Sequence, residues 1–271
     1  MSELTSDDIR VHRPLRSVGG ALCERVTAAP TPILASLTEA APGMPPERTT
    51  TQTLPRRRML GRIVGRMHAL SLRHPQWRRG ADPAATATQG RDHRSMADFL
   101  RGATADDPQM QQRIAQTDSE LESLPIRRDT YGYMHGDLSL GNTVEHAGIY
   151  TVIDFEGGYR WDAADLATTA HQIRGAARRD ATGEDPLPIL EPSAESQWHA
   201  FVSGYRQENE LPEEWLDWVP LLVRQRDEFM FAATWSWRHL PLGGGGARRN
   251  FMMRSRANAL AENVEVGFVF G

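Results

Sequence analysis

Between Pro55 and Leu72 the apolar residues Met59, Leu60, Ile63, Val64, Met67 and Leu70 recur at the helical period. The stretch therefore predicts an amphipathic helix with one core-facing stripe. Arg58, Arg62 and Arg66 recur four apart on the other side, which reads as a solvated face or as a contact for phosphate or an acidic partner. Similar patterning predicts helices around residues 95–103, from Asp107 to Leu124, over 163–179, over 195–208 and 213–240, and from about Ala247 to Glu262. Strand-like runs are fewer and shorter. Ile33–Leu37 (ILASL) reads as one short strand, and VGGALCERV is the one plausible strand, or turn and strand, before it. TYGYMHGDLSLGN has an apolar and aromatic approach and then a polar turn, HAGIYTVIDFEGG carries a β-type run from Ile149 to Ile153, and together they read as a strand, a loop and a hairpin strand. Pro30 and Pro32 bracket a break, and another falls at Pro125. Residues 38–47, 74–94, 181–193 and the run Gly243–Gly246 read as connections, and no internal repeat is present.

A chain of 271 residues is long enough for one large domain or two small lobes with a real core. Its 39% hydrophobic and 24% charged residues place it among ordinary soluble globular proteins. The net charge of -4 argues against a nucleic-acid partner. Cys23 is the single cysteine, so an internal disulfide or a cysteine zinc site is excluded. No apolar run approaches the roughly 18 residues needed to span a membrane. The start MSELTSDDIR is acidic and polar, without the pattern of a signal peptide, so the expected location is cytoplasmic. The sequence also contains no lysine; every basic side chain is Arg or His. Any mechanism that uses a lysine amine is excluded.

The chemistry concentrates in MHGDLSLGNT and TVIDFEGG. Asp137 and Asn142 stand five apart, and Asp154 follows twelve residues later at the end of an apolar run. This is the spacing of a phosphoryl-transfer site: an Asp to take the acceptor hydroxyl's proton, an Asn for one magnesium, and an Asp at the next strand end. Magnesium prefers oxygen ligands and keeps several waters, so one carboxylate and one amide suffice from the protein. Taken singly, Asp137 and Asn142 also suit a turn held by Asx hydrogen bonds, and Asp154 suits a strand-end cap.

HGDLSLGN, then VIDFEG, then a helix start carrying Asp162, Asp165, Leu166 and Ala167 resembles the aminoglycoside phosphotransferase and choline kinase family. The resemblance is close over residues 133–170 and loose over about 33–240. It implies Asp137 as the catalytic base and Asn142 and Asp154 as the magnesium ligands. It implies that His135 shapes the loop and that Asp165 is a buried acid supporting it. The implied fold is α+β and protein-kinase-like, with a mostly helical large lobe and a short catalytic β-hairpin. The implied cofactors are Mg2+ and ATP, or another nucleoside triphosphate.

A full small lobe of about five strands and a helix takes roughly 60 residues, and only some 30 precede Ile33. The expected division is thus a truncated N-terminal lobe and hinge over residues 1–43 and a helical catalytic lobe over 44–271. The nucleotide contacts stay unassigned. Arg13, Arg16 and Arg25 offer positive charge, as planar forks rather than point charges, and Glu24 lies in the same region.

The expected function is transfer of a phosphoryl group from a nucleotide to a hydroxyl. The acceptor would be a small molecule, or a Ser or Thr of a precursor peptide in a bacterial natural-product (RiPP) pathway. The alternative is an inactive pseudokinase serving as a binding or scaffold subunit. A partner protein or a second copy is expected to complete the N-terminal side, because an exposed strand at Ile33–Leu37 invites pairing.

The resemblance implies that the helices bearing Trp215, Trp218, Trp235 and Trp237 wall the acceptor pocket, although aromatic residues at helical spacing are more often core. Glu214, Asp227 and Glu228 offer charge for a cationic acceptor, or are solvated surface. His146 and His171 read as structural; Arg248, Arg249, Arg254 and Arg256 read as a solvated helix face or a contact for an acidic partner.

Overall fold

The computed structural model describes residues 8–27, 33–44, 53–78, 92–155, 157–182, 192–236 and 245–260. The breaks at Pro30 and Pro32, Trp237, the Arg248 side chain, and most of the connections over 74–94, 181–193 and 243–246 lie outside the described residues. The chain forms two compact units. One comprises Met1–Glu47 with Leu140–Phe155, the other Arg48–Ser139 with Glu156–Gly271.

The smaller unit is built of short strands. β1 (Ile9–Val11) lies parallel to β8 (Ile149–Val152), which pairs antiparallel with β7 (Thr143–His146) in the order β1-β8-β7. Ile9, Val11, Val144, Tyr150 and Val152 are buried. The β7–β8 turn holds Ala147 at φ 51° and Gly148 at φ 78°, the paired left-handed residues that suit a two-residue hairpin. Two ribbons complete the unit: β2 (Pro14–Leu15) with β5 (Leu37–Thr38), and β3 (Glu24–Val26) with β4 (Ile33–Ala35). Residues 8–26 thus carry three strands where the sequence pattern offered one. Ile33–Leu37 is likewise not a single strand. It divides at Ser36 between the two ribbons. Strands of two or three residues are too short to show an alternating pattern, and backbone pairing alone defines them.

The larger unit follows its apolar stripes closely. α1 (Thr53–Arg73) buries Leu60, Ile63, Val64 and Leu70, as its periodicity requires. It crosses α5 (Ala194–Tyr205) through glycines. A Cβ on Gly61 would stand 1.9 Å from the Phe201 carbonyl oxygen, and one on Gly204 would stand 1.9 Å from that of Arg58. Two arginines of the stripe form a clamp beside this crossing: Arg62 and Arg66 both meet Glu208, at 2.9 and 2.8 Å, while Arg58 is exposed.

α2 (His93–Ala103) opens on a capping box between Asp92 and Ser95, and α3 (Pro108–Glu122) opens on Asp107, whose carboxylate accepts from the Met110 amide. α6 (Glu213–Ser236) is the central helix, packed by α2, α3, α4 (Ala163–Thr182) and α7 (Gly245–Leu260). Met96, Leu100, Met110, Ile114, Phe231, Ala232 and Ala259 form its core. β6 (Tyr131–Met134) pairs antiparallel with β9 (Gly158–Trp161), setting Tyr131 edge-to-face against Trp161. Of the tryptophans expected either at the acceptor pocket or in the core, Trp215 is buried outright and Trp218 is half-buried. Trp235 packs on the core of α6 and donates its indole N–H to Asp106 at 2.9 Å. Among the described residues, no helix is long and apolar enough to cross a membrane.

Candidate functional site

β6 delivers the chain into His135-Gly136-Asp137. Gly136 turns at φ 90°, in the left-handed region that favours glycine. His135 is fully buried; its Nδ1 accepts the Asp137 amide at 3.3 Å, and its carbonyl accepts the Gly157 amide at 3.0 Å. The loop is thereby tied to the start of β9. Gly157 has to be glycine, because its φ is 62° and a Cβ would stand 1.9 Å from the Tyr133 hydroxyl. Leu138 is buried and pins the loop from the other side of Asp137. Asp137 itself stays partly open, and its Oδ1 accepts from Nη2 of Arg226 on α6.

Asp165 lies in the first turn of α4, buried, with its Oδ2 3.5 Å from Nε2 of His68 on α1. His68 Nδ1 in turn lies 2.9 Å from the Tyr205 hydroxyl. Asp165 therefore faces α1, while His135 is the residue that ties the loop directly. Three residues ahead, Asp162 receives both arms of Arg78 at 2.8 and 2.5 Å.

The chain passes into the strand unit after Ser139 and leaves it after Phe155. There a short 3-10 turn, Leu140–Asn142, leads into β7, closed by the Thr143 hydroxyl on the Leu140 carbonyl at 2.8 Å. The Ile153 amide donates to the Asn142 carbonyl at 3.0 Å, so Asn142 and the end of β8 are locked across the open end of one hairpin. Asp154, next in the chain, is exposed and adopts φ 57°. Asp tolerates this left-handed conformation better than most residues, but still at a cost of roughly 1 kcal/mol or more. The structure thus brings the two expected metal ligands to one hairpin end. It places Asp137 in the other unit.

An amide oxygen and an exposed carboxylate form a hard-oxygen donor pair that suits magnesium, which takes its remaining ligands from water and phosphate. Among the described residues, no group of three or more His, Cys, Asp or Glu is placed to hold a metal.

Several sequence candidates are engaged elsewhere. Arg13 pairs with Glu39 at 2.9 Å, and Arg16 donates to the Gly20 carbonyl at 2.7 Å. Glu24 accepts from the Ser17 hydroxyl, and Arg25 lies on the exposed strand β3. Glu214 pairs with Arg127 at 2.5 Å. Asp227 is buried and binds Arg174, with His171 at 3.2 Å; burial works to raise its pKa, but these partners hold it below the usual carboxylate value. Glu228 is wholly buried, accepts from the Thr117 hydroxyl at 2.6 Å, and lies 3.6 Å from Arg113. Burial outweighs those partners and pushes its pKa up to about 8. Asp227 and Glu228 thus serve the interior, whereas Glu214 is an exposed surface partner of Arg127. At the C-terminal end, Arg256 grips Asp107 at 2.7 Å, which makes it a brace between α7 and the start of α3. Arg226 was missed from sequence: it lies 89 residues from Asp137 in the chain, with no local pattern linking the two.

A profile of the phosphotransferase enzyme family, APH, matches residues 2–195. Amicoumacin kinase of Bacillus subtilis (strain 168) is 28% identical over 177 residues, covering 64% of this chain and 48% of that protein. The chain thus spans about half the length of this relative. Among solved structures, an amicoumacin kinase, hAmiN, in complex with AMP-PNP, Ca2+ and Ami superposes with a TM-score of 0.72 at 24% identity, over 93% of this chain and 72% of that one. A microcompartment-associated aminopropanol kinase superposes with a TM-score of 0.59 at 22% identity, over 93% of this chain and 74% of that one. The mostly helical α+β, kinase-like fold expected from the sequence is shared with these proteins, and the chain belongs to the phosphotransferase enzyme family.

Proposed function

We propose that this chain transfers the terminal phosphoryl group of ATP to a hydroxyl of a small-molecule acceptor. The observation that carries the reading is the His135–Asp137 turn, which presents one partly open carboxylate on an otherwise buried and tied loop. In the reaction the acceptor oxygen bonds to phosphorus, the bond from phosphorus to the bridging oxygen breaks, and ADP leaves. Asp137 orients the acceptor hydroxyl and takes its proton. Asn142 and Asp154 would hold Mg2+, Asp154 standing at the hairpin end with a left-handed backbone. When bound, the ion neutralises charge on the phosphate oxygens. His135 keeps the loop in register through its ring and its carbonyl. Since this sequence has no lysine, any cation that its own side chains supply at the phosphates is an arginine or a histidine.

The small-molecule acceptor is favoured over a peptide because the relatives are, by name, kinases of amicoumacin and of aminopropanol. A second reading, an inactive pseudokinase, draws on the internal engagement of Arg13 and Arg16. A partner or a second copy covering the N-terminal strands is a further part of the proposal, supported by the exposed Ile33, Leu34, Leu37 and Met44.

The test is transfer from radiolabelled MgATP to a panel of amino alcohols, aminosugars and a serine peptide, with calorimetry of MgATP binding alongside. Transfer to a small molecule is expected, slowed roughly 10²–10⁴-fold by Asp137→Asn, the usual worth of a positioned base. Labelling of the peptide alone refutes the acceptor class. Absence of MgATP binding, with or without a co-expressed partner, leaves the pseudokinase.

A further inference from the structure

We propose that Arg226 is a positioning residue for phosphoryl transfer: its guanidinium fixes the Asp137 carboxylate in the orientation that receives the acceptor's proton. The inference rests on the reading of Asp137 as the base.

The contact joins Nη2 of Arg226 to Oδ1 of Asp137, both within the larger unit. The Arg226 side chain is 13% exposed and that of Asp137 30%, so solvent screens this pair less than it screens a surface ion pair. The guanidinium is also confined from below. Its Cζ lies 5.4 Å from the ring centroid of Phe229 on the same helix, and Phe229 packs against the buried core of α6. The planar group thus sits between an aromatic face and a carboxylate, an arrangement that suits Arg and not Lys.

The helix that carries Arg226 is braced by the next two residues. Asp227 binds Arg174 and His171 on α4, and Glu228 accepts from Thr117 on α3. Successive helical residues point in directions about 100° apart. Arg226, Asp227 and Glu228 therefore engage three different elements. α6 cannot roll or slide without breaking a buried contact, so the reach of Arg226 to Asp137 is fixed.

Phosphoryl transfer asks little covalent chemistry of the protein and depends mainly on positioning. A residue that confines the base should then act on kcat and leave nucleotide binding alone.

The experiment combines a spectroscopic readout with kinetics. In protein labelled with 13C at the aspartate carboxyls, the Asp137 signal is the one lost in Asp137→Asn. It is expected to shift in Arg226→Gln and to lie between the two positions in Arg226→Lys. On the fastest acceptor of the panel, Arg226→Gln is expected to lower kcat roughly 10²-fold, the scale of a misplaced reacting group, with KM for MgATP unchanged. Arg226→Lys restores the charge but not the fork, and should recover part of the loss. The double variant Asp137→Asn with Arg226→Gln should be no slower than Asp137→Asn alone, because the two act as a unit. An Asp137 signal unmoved in Arg226→Gln overturns the proposal, as does a wild-type kcat in that variant while Asp137→Asn is slow. Full activity in Asp137→Asn overturns instead the base assignment beneath it. If Arg226→Gln fails to fold, Arg226→Lys is read alone, and a wild-type kcat and carboxyl signal there overturn the proposal.

Discussion

Arg78 and Asp162 close on each other through both arms of the guanidinium, at 2.8 and 2.5 Å, with both side chains almost wholly buried. The same Arg78 donates Nε to the Arg128 carbonyl at 2.6 Å and passes so close to β6 that a Cβ on Gly132 would lie 2.3 Å from its Nη1. The pair thus fastens the turn after the 3-10 segment at Pro75–Trp77 to the strand that feeds the His135–Asp137 loop and to the start of α4.

Breaking this pair from one side leaves a buried charge uncompensated. Arg78→Met and Asp162→Asn should each destabilise the protein by about 3–5 kcal/mol, whereas the double change to apolar residues of similar volume should cost less than either single change. Chemical denaturation of the three variants checks this. Additive losses would show that the two residues do not act as a pair.

Asp154 tests the cost of holding a ligand in the left-handed region. At φ 57° glycine is the relaxed residue. Asp154→Gly is expected to melt at or above the wild-type temperature while losing Mg2+-dependent nucleotide binding. A lower melting temperature would mean that the carboxylate contributes to stability, against the ligand assignment.

The crossing of α1 and α5 distinguishes glycines that packing requires from one that it does not. Gly61→Ala and Gly204→Ala force a Cβ to 1.9 Å of a backbone oxygen and should cost about 1–3 kcal/mol or prevent folding. Gly102, near the end of α2, has nothing within 4 Å of its would-be Cβ. Gly102→Ala should therefore stabilise by up to ~1 kcal/mol through helix propensity. Thermal melts of the three proteins, compared with wild type, read both signs.

Glu228 gives a pH dependence with a definite sign. Its pKa is raised from 4.5 to about 8 by burial, despite Thr117 and Arg113. The folded state therefore holds the proton where the unfolded state has released it. The stabilisation is fully present below about 4.5 and is lost as pH rises through about 8. Glu228→Gln keeps the shape and an acceptor for Thr117 but does not titrate. It should match wild type near pH 5 and be more stable at pH 8–9, by an amount on the order of a few kcal/mol. Denaturation midpoints across that range test it; equal midpoints at pH 9 would refute the shift.

The helices were legible in the sequence because each carries its own apolar stripe. Leu60, Ile63 and Val64 point inward on α1 as their spacing requires, and Asp92 and Asp107 cap their helices through contacts only a few residues long. The local turns around the motif were legible because they too join residues close in the chain. The Asn142 carbonyl meets the Ile153 amide because a short hairpin joins them, and β7 and β8 are set by a two-residue turn. The sequence order of His135, Gly136 and Asp137 likewise dictates a local turn.

Contacts between distant residues were decided only by the tertiary structure. β1 is three residues long and becomes a strand only by lying beside β8, some 140 residues later. Ile33–Leu37 reads as one strand by composition, but its two halves pair with different partners. Asp227 and Glu228 look like surface charge until Arg174 and Thr117 are brought against them, and Arg62 and Arg66 look like a phosphate face until Glu208 closes on both. Arg226 reaches Asp137 only because α6 is laid across the helical unit and braced there. Periodicity reports which face of an element is buried. Arg62, Arg66, Arg226, Asp227 and Glu228 find their partners through packing between elements, which a local pattern does not encode.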